Sequence, residues 1–589
     1  SQCLNLEQFD LIHSLQSFPD IGSVEEISLS DLPERMKSKR AKLSRACLIN
    51  IRVGMVEYEL VVGQPKEFPQ KLPYVHLAHP AEHDFHNHVN YEGDVCYLSK
   101  GPEAFINTDN PEAILHKAVY MALKTIEGSA GRDLAALHEE FEGYWVSLPE
   151  TIIGRCFYEP GLKPESINAL CNHQPLKKLN TVIFYKDSIP NEYGYKPRTD
   201  KLLSVKAWYI PLCKSVLPPS PDSTLTHAYV RNLLKYVRAG FRNELFGKLT
   251  KQKRKRKKRK ITLKKEFLLF SQPRPSGKLA LFGVFVKGYS NCTFFNDDLG
   301  ETGWQLYPIS ILRHYESYLL ERGGAMGDLK DVTIAVIGCG AVGSRIVEQL
   351  ALSGIGNIVI IDNDLLSEDN IYRHVLGGQE IGKNKAEAMS KHLKHRLPYV
   401  NVTDKSMRRE QWIDKEGWRD VQVIIDATAD FTGMREMNKK IVNSNNVLPV
   451  VYCWLEACGI GGHAVLVDGK SKGCIECLFE FKDQGPYRRS DFLDPYQNIT
   501  KDLTGCGGAF TPFSALDSIK TATLAVELAL EFIINGRESS YRYWVGENKL
   551  AKKSGLKLSS WYEKAKFGRR EEVETKFSKR NCPVCGVFE

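Results

Sequence analysis

Apolar and polar residues follow different rhythms in different parts of this chain. Near the start, "ACLINIRVG" and "EYELVVG" are apolar runs bounded by turn residues, which predicts a meander of strands. "NPEAILHKAVYMALKTIEGS" and "RDLAALHEEFEGYWVSL" then space apolar residues three and four apart, which predicts helices. From residue 332 the order becomes strand, helix, strand, helix: "VTIAVIG", "VGSRIVEQLALSG", "NIVIID" and "KNKAEAMSKHL". Those strands are continuous apolar runs, as strands buried on both faces of a parallel sheet are. In between, "KLNTVIFYK", "LLSVKAWYIPL", "EFLLF" and "LALFGVFVKG" predict strands, and "STLTHAYVRNLLKYVRAGF" an amphipathic helix. The expected fold class is multidomain α/β. An N-terminal α+β domain covers residues 1–148, a connecting α/β domain 149–309, and a doubly wound α/β domain 310–589. No apolar run exceeds strand length, so no membrane span is expected.

Composition changes this picture in two places. The net charge of the 589 residues is +9, but 12 of the 80 Lys and Arg fall in "KLTKQKRKRKKRKITLKK", residues 248–265. Without that tract the chain carries 68 basic against 71 acidic residues. The tract reads as a solvated loop or as a contact for an anionic partner such as nucleic acid. No aromatic residue interleaves with it to stack on bases, which weakens the nucleic-acid reading. Fifteen cysteines, an odd and scattered set, argue against a disulfide framework. The chain begins without a basic patch and apolar core, so a secretory leader is not expected. A reducing cytoplasm is the expected compartment.

Two Cys-x-x-Cys pairs stand 108 residues apart, Cys474 with Cys477 and Cys582 with Cys585. Four thiolates from two such pairs suit a structural zinc, which leaves no position open for a reactive water. Gly338, Gly340 and Gly343 form a G-x-G-x-x-G turn between strand and helix. Asp362 ends the next strand, where an acid can bond a ribose hydroxyl. Asp364, Asn370, Arg373 and Lys385 follow closely. Cations there suit the charge of a triphosphate, whereas hydride transfer would need no such clamp.

This succession, with paired Cys-x-x-Cys later, resembles the ThiF/MoeB superfamily, which includes the activating enzymes of ubiquitin-like proteins. The resemblance implies ATP and magnesium. Asp362 would bind ribose and Asn370 the phosphates, while Arg373 and Lys385 would bind phosphates and assist adenylation. The family's magnesium aspartate falls in D-A-T-D-N, but this chain reads "VIIDATADFTG". Asp430 is the preferred ligand and Asp426 the other candidate. The family's arginine for the neighbouring subunit's nucleotide has only a weak match, Arg313. Cys506, in "LTGCGGAFTPF", matches the position where the family places its thioester cysteine, and Cys453 and Cys458 are poorer candidates.

"FPQKLPYVHLAHPAEHDFHNHVNYEGDVCYLSKG" holds F-P-x-x-L-P and then Gly93 and Cys96. Strands, a Pro-rich turn, a cysteine loop and helices in that order resemble a ubiquitin-conjugating fold, with Cys96 as transfer nucleophile. Where that family has H-P-N, this chain has His86, Asn87 and His88. Either His88 or Asn87 is a candidate oxyanion donor. An activating and a conjugating domain in one chain resembles the fusion enzymes of CBASS antiphage operons, the CD-NTase-associated proteins. That resemblance implies a homodimer that activates the C-terminus of a CD-NTase, a cyclic-oligonucleotide synthase, and joins it to a target amine. The alternative is a sulfur-carrier adenylyltransferase that stops before conjugation.

Overall fold

The computed structural model describes residues 9–32, 34–53, 55–79, 88–90, 93–97, 106–128, 134–172, 182–189, 202–219, 225–243, 245, 261–290, 293–296, 303–415, 418–444, 448–503, 509–567 and 576–586. Two compact units divide the chain: Ser1–Ser188 with Pro197–Tyr315, and Ile189–Lys196 with Glu316–Glu589.

In the first unit, strands Ile21–Glu26, Leu43–Val53, Val56–Pro65 and Tyr74–Leu77 pair antiparallel in chain order. Their inward residues, among them Ile49, Leu60, Val62 and Val75, meet one face of the helix Pro111–Gly128. That face is Leu115, Val119, Ala122 and Ile126, the three-and-four spacing of an amphipathic stripe. Leu115, Val119 and Ile126, once fully buried, each contribute about 1.5–3 kcal/mol. The cysteine loop follows the last strand as a tight return, with bridges pairing His76 to Asp94 and Val89 to Val95.

Residues 149–315 depart from the expected α/β connector. Seven strands close a barrel: Ile152–Cys156, Val182–Tyr185, Glu165–Asn172, Leu202–Pro211, Thr262–Pro273, Leu279–Ser290 and Trp304–Arg313, in that order round to the first. Closure pairs Ile152–Cys156 with Trp304–Arg313, segments about as far apart as this region allows, so no local pattern could announce it. The last strand also carries residues 310–313 into the barrel. The expected amphipathic helix shrinks to His227–Leu233 and a short turn, capped by Thr226. Helices Leu134–Glu139 and Phe141–Val146 stand with the barrel as well. Phe141, Tyr144, Trp145 and Leu148 pack with Leu268, Phe270 and Phe282. Residues 248–260 of the basic tract lie outside the described residues.

The second unit holds a seven-stranded sheet. Asn401–Lys405, Asn357–Ile361, Thr333–Ile337, Val423–Asp426 and Val450–Leu455 are parallel neighbours in that order. Gly461–Val467 and Ser540–Val545 extend it antiparallel. Helices such as Ala341–Leu352 and Ala515–Asn535 cover one face, and the cluster around Met434, Trp454 and Tyr541 the other. The doubly wound expectation holds. Strand order reverses between Thr333–Ile337 and Val423–Asp426, and ligands of such sheets bind at that crevice. Among the described residues, no helix is long and apolar enough to cross a membrane.

Candidate active sites and metal centre

The crevice brings the glycine turn against the segment after Val423–Asp426. Gly338 has φ +84, and a Cβ there would meet Thr428 at 3.0 Å. At Gly343 a Cβ would stand 1.8 Å from the Gly338 carbonyl oxygen, so the helix can pack this closely only without a side chain. Gly340 caps the helix Ala341–Leu352, and a Cβ there would meet nothing within 4 Å. The cradle is therefore open at the helix start, where unpaired backbone N–H groups suit a phosphate.

Asp362 anchors the turn. It accepts the Cys339 N–H at 2.6 Å and the Asp364 N–H at 2.7 Å. Burial pushes its carboxyl up, and those two amides oppose the rise. Beneath the loop, His374 Nε2 donates to the Cys339 carbonyl at 2.7 Å while Nδ1 accepts the Leu376 N–H. Burial lowers its pKa to about 4, so the ring is neutral at ordinary pH. Lys385 opens the helix Lys385–Arg396 and holds Asp364 Oδ2 at 3.2 Å. Asn370 accepts the Ser367 N–H and ends a short turn, Glu368–Asn370. Arg373 donates to the Thr511 carbonyl at 3.4 Å and lies 4.6 Å from the Phe513 ring centre. Asp362, Asp364 and Lys385 are thus brought together, while Arg373 is tied to the segment that follows residue 508.

The aspartates of "DATAD" differ sharply. Asp426 is wholly buried and held by Arg409 Nη1 at 2.9 Å and the Thr428 hydroxyl at 2.7 Å. Asp430 caps the helix Phe431–Val442, is 53% exposed and meets Arg409 Nη2 at 2.5 Å. Burial is the largest single influence and would raise its carboxyl, but the Arg409 hydrogen bond and charge, together with the Gly433 and Thr432 amides, outweigh it and lower the pKa. The residue that delays Asp430 by one place is absorbed at Ala429, which takes φ +55. Arg409 had no spacing signal, since "MRREQW" shows two arginines in an unremarked turn. Gly433 makes room for it, because a Cβ there would strike the guanidinium. Of the two carboxylates, Asp430 fits a hydrated divalent cation; Asp426 has no free face.

The four cysteines converge. Cys474 and Cys582 Sγ lie 3.7 Å apart, Cys477 and Cys585 Sγ 3.4 Å, and all four lie within 4.8 Å of one another. Tetrahedral zinc with bonds of about 2.3 Å would set sulfurs about 3.8 Å apart, so the donor set fits that metal. Arg489 braces the pair by donating to the carbonyls of Cys477 and Phe577. A second buried group, Glu456, His463 and Asp491, could also hold a metal by proximity. Its polar atoms are already engaged: His463 bonds Glu456 and Tyr541 at 2.7 Å, and Glu456 accepts two backbone amides.

In the first unit Cys96 is exposed. Its N–H donates to the His88 carbonyl at 2.7 Å. Gly93 is required by its φ of +91 and by the Leu77 carbonyl, 2.3 Å from where its Cβ would fall. His76 is buried against Asp94 at 2.7 Å, and His79 meets Glu59 at the surface. Among the described residues, neither metal-capable group includes these histidines. A cavity of ≈ 1020 Å³ opens beside Cys96 and His88. Asn87 and Cys506 lie outside the described residues, while Cys453 and Cys458 are buried. Arg313 is engaged in the barrel, donating to Glu142 at 2.6 Å and to the Leu279 carbonyl.

A glycine-turn nucleotide crevice and a surface cysteine on a conjugating-type sheet define an ATP-dependent enzyme of ubiquitin-like activation and transfer. Residues 313–530 match the ThiF family and residues 33–153 the prokaryotic E2 family B. Over 516 residues the chain is 30% identical to the ATP-dependent ubiquitin transferase-like protein Cap2 of Pseudomonas aeruginosa (strain BWHPSA011 / Pa011), covering 83% of this chain and 86% of that protein. It is also 30% identical over 162 residues to the NEDD8-activating enzyme E1 catalytic subunit of Dictyostelium discoideum, 26% of this chain and 36% of that one. The crystal structure of E. coli MccB matches with a TM-score of 0.33 and 19% identity, covering 46% of this chain and 68% of MccB. The chain belongs to the Cap2 family of ATP-dependent ubiquitin transferase-like proteins.

Proposed function

We propose that this chain adenylates the C-terminal carboxylate of a protein, carries it as a thioester on Cys506 and then on Cys96, and ligates it to an amine of a target. A carboxylate oxygen attacks the α-phosphate of ATP, and pyrophosphate leaves. Cys506 Sγ then takes the acyl group and releases AMP. Cys96 Sγ takes it by thioester exchange. A thiolate is the strongest nucleophile that a protein offers near neutral pH, and a thioester keeps the acyl group activated. Two cysteine sites on one chain raise their mutual concentration to the order of millimolar.

In this reading the glycine-turn amides and Asn370 hold phosphates, and Asp362 holds the ribose. Lys385 must exchange the Asp364 carboxylate for a phosphoryl oxygen, and Arg373 must leave the Thr511 carbonyl. Asp430, half-exposed and ionised, is the magnesium ligand; bound there, the cation would neutralise charge on the phosphates. Zinc on the four cysteines is structural. Family membership and the fusion of two domains support a CD-NTase as the activated protein and a cytoplasmic homodimer as the working form.

The exposed Cys96, held on an E2-like sheet in the same chain as the nucleotide crevice, carries the proposal. The test incubates the chain with ATP, magnesium and a candidate CD-NTase, and reads adducts on a non-reducing gel. Two thiol-labile adducts are expected, one lost in Cys506→Ala and the other in Cys96→Ala. Adenylate formation without either adduct, with a thiocarboxylate appearing only when a sulfide donor is added, would instead mark a sulfur-carrier adenylyltransferase.

A further inference from the structure

We infer that Glu140, supplied by the helix pair packed on the barrel, positions His88 as the base that takes the acceptor amine's proton at Cys96. The inference rests on the relay proposed above.

His88 Nδ1 lies 2.5 Å from Glu140 Oε1. A carboxylate accepts, so Nδ1 carries the hydrogen. A neutral imidazole has one N–H, and here it is already committed. Nε2 is left with a lone pair, which can accept a proton but cannot donate to an oxyanion. In this inference the neutral ring of His88 serves as a base, and the oxyanion role expected of it is not the one assigned here. The backbone fixes its place, because His88 has φ +62 and its carbonyl holds the Cys96 N–H.

Glu140 is a rigid partner. It sits between Leu134–Glu139 and Phe141–Val146, beside Phe141, which is wholly buried. The Phe141 and Trp145 rings each lie 4.7 Å from that of Phe282, and Trp145 Nε1 donates to the Ile309 carbonyl. Neighbouring acids are spoken for: Glu142 pairs with Arg274 and Arg313, and Glu139 holds Ser276. Lys39, also in the cavity lining, pairs with Asp94. The barrel thus completes the transfer site rather than merely joining two enzymes.

The step balances without an outside reagent. The neutral amine nitrogen attacks the thioester carbonyl carbon, and a carbon–nitrogen bond forms. The nitrogen's proton passes to His88 Nε2, and the carbon–sulfur bond breaks with its electron pair on Cys96 Sγ. The imidazolium returns its proton to that thiolate. General-base help of this kind is worth about 10²–10⁴-fold.

The experiment bypasses activation. A fluorescent glycyl-peptide thioester of mercaptoethanesulfonate loads Cys96 in the full chain, with Cys96→Ser marking the specific adduct. Discharge per loaded enzyme is then timed with free lysine and with hydroxylamine, whose weakly basic nitrogen sheds its proton to water. Glu140→Ala is expected to slow lysine discharge about 10- to 100-fold and hydroxylamine discharge far less, with Glu140→Asp recovering most of the loss. His88→Ala is expected to lose lysine discharge and regain it with added imidazole. Lysine discharge that ignores Glu140, or an equal fall with both nucleophiles, would overturn the inference. Absence of any adduct specific to Cys96 would instead overturn the relay itself, and the inference with it.

Discussion

The nucleotide crevice and the Cys96 loop are built by different means. The crevice is built from one short stretch of chain, residues 333–430, on a parallel sheet. Its glycines, Asp362 and Lys385 are near neighbours in sequence because a strand–turn–helix unit brings them together automatically. The transfer site draws on two packing layers. Cys96 and His88 stand on a loop beside a small antiparallel sheet, and Glu140 arrives from helices buried against the barrel. A site made by one local unit is robust to its surroundings, whereas a site assembled across layers can be tuned by either.

The largest expected effects come from glycines whose neighbours leave no room. Gly343→Ala should abolish nucleotide binding, since its Cβ would overlap the Gly338 carbonyl at 1.8 Å, and ATP titration by calorimetry checks it. Gly93→Ala should equally disrupt the Cys96 loop but leave ATP binding intact. Loss of ATP binding in that variant would break the comparison.

The four-cysteine cluster separates the two regions next. Chelation, or Cys582→Ser, should lower the stability of the unit holding the crevice by several kcal/mol, because metal binding there is folding energy. Thermal unfolding followed by hydrogen exchange should show residues 450–586 opening while the barrel and the small sheet keep their protection. Equal loss in both would contradict the assignment of the metal to one unit.

Asp426→Asn should cost about 3 kcal/mol, because it leaves the buried Arg409 short of a carboxylate. Asp430→Asn should change stability little yet weaken magnesium-dependent adenylation, so melting temperature and pyrophosphate exchange together distinguish them. His374 gives a pH signature of similar size. Its folded pKa of about 4 lies below the ordinary 6.5, so the unfolded chain binds the proton first. Stability is full above pH 6.5 and falls progressively down to about pH 4, by about 3 kcal/mol in all. His374→Asn should flatten that slope in denaturant titrations across pH.

The smallest expected effect belongs to Gly340→Ala. Its Cβ would meet nothing within 4 Å, so melting should shift by no more than a degree or two while ATP affinity falls. If melting fell as far as in Gly343→Ala, the distinction between packing glycines and phosphate glycines would be wrong.

Legibility followed the same division. The strand "VTIAVIG", the glycine turn and the acid at Asp362 could be read directly, because their spacing is dictated by the geometry of one local unit. The cysteine pairs were legible for another reason, as Cys-x-x-Cys is itself a local ligand pair even when the other half is distant. Arg409 was not legible. Nothing in "MRREQW" says that its guanidinium will pass Gly433 to bridge two aspartates of a different segment. Glu140 was equally silent, one of three acids from Glu139 to Glu142.

By itself the sequence determined the α/β class, the nucleotide crevice, the paired thiols and the cysteine loop. Each depends on periodicity or on spacing within a few residues, and backbone geometry turns these directly into structure. Only the tertiary structure decided that the middle region closes into a barrel, which of the aspartates 426 and 430 stays exposed, and which acid faces His88. Those outcomes depend on contacts between separate segments, from Arg409 against the two aspartates and Glu140 against His88 to Ile152–Cys156 against Trp304–Arg313, and such contacts leave no mark on the local order of the chain.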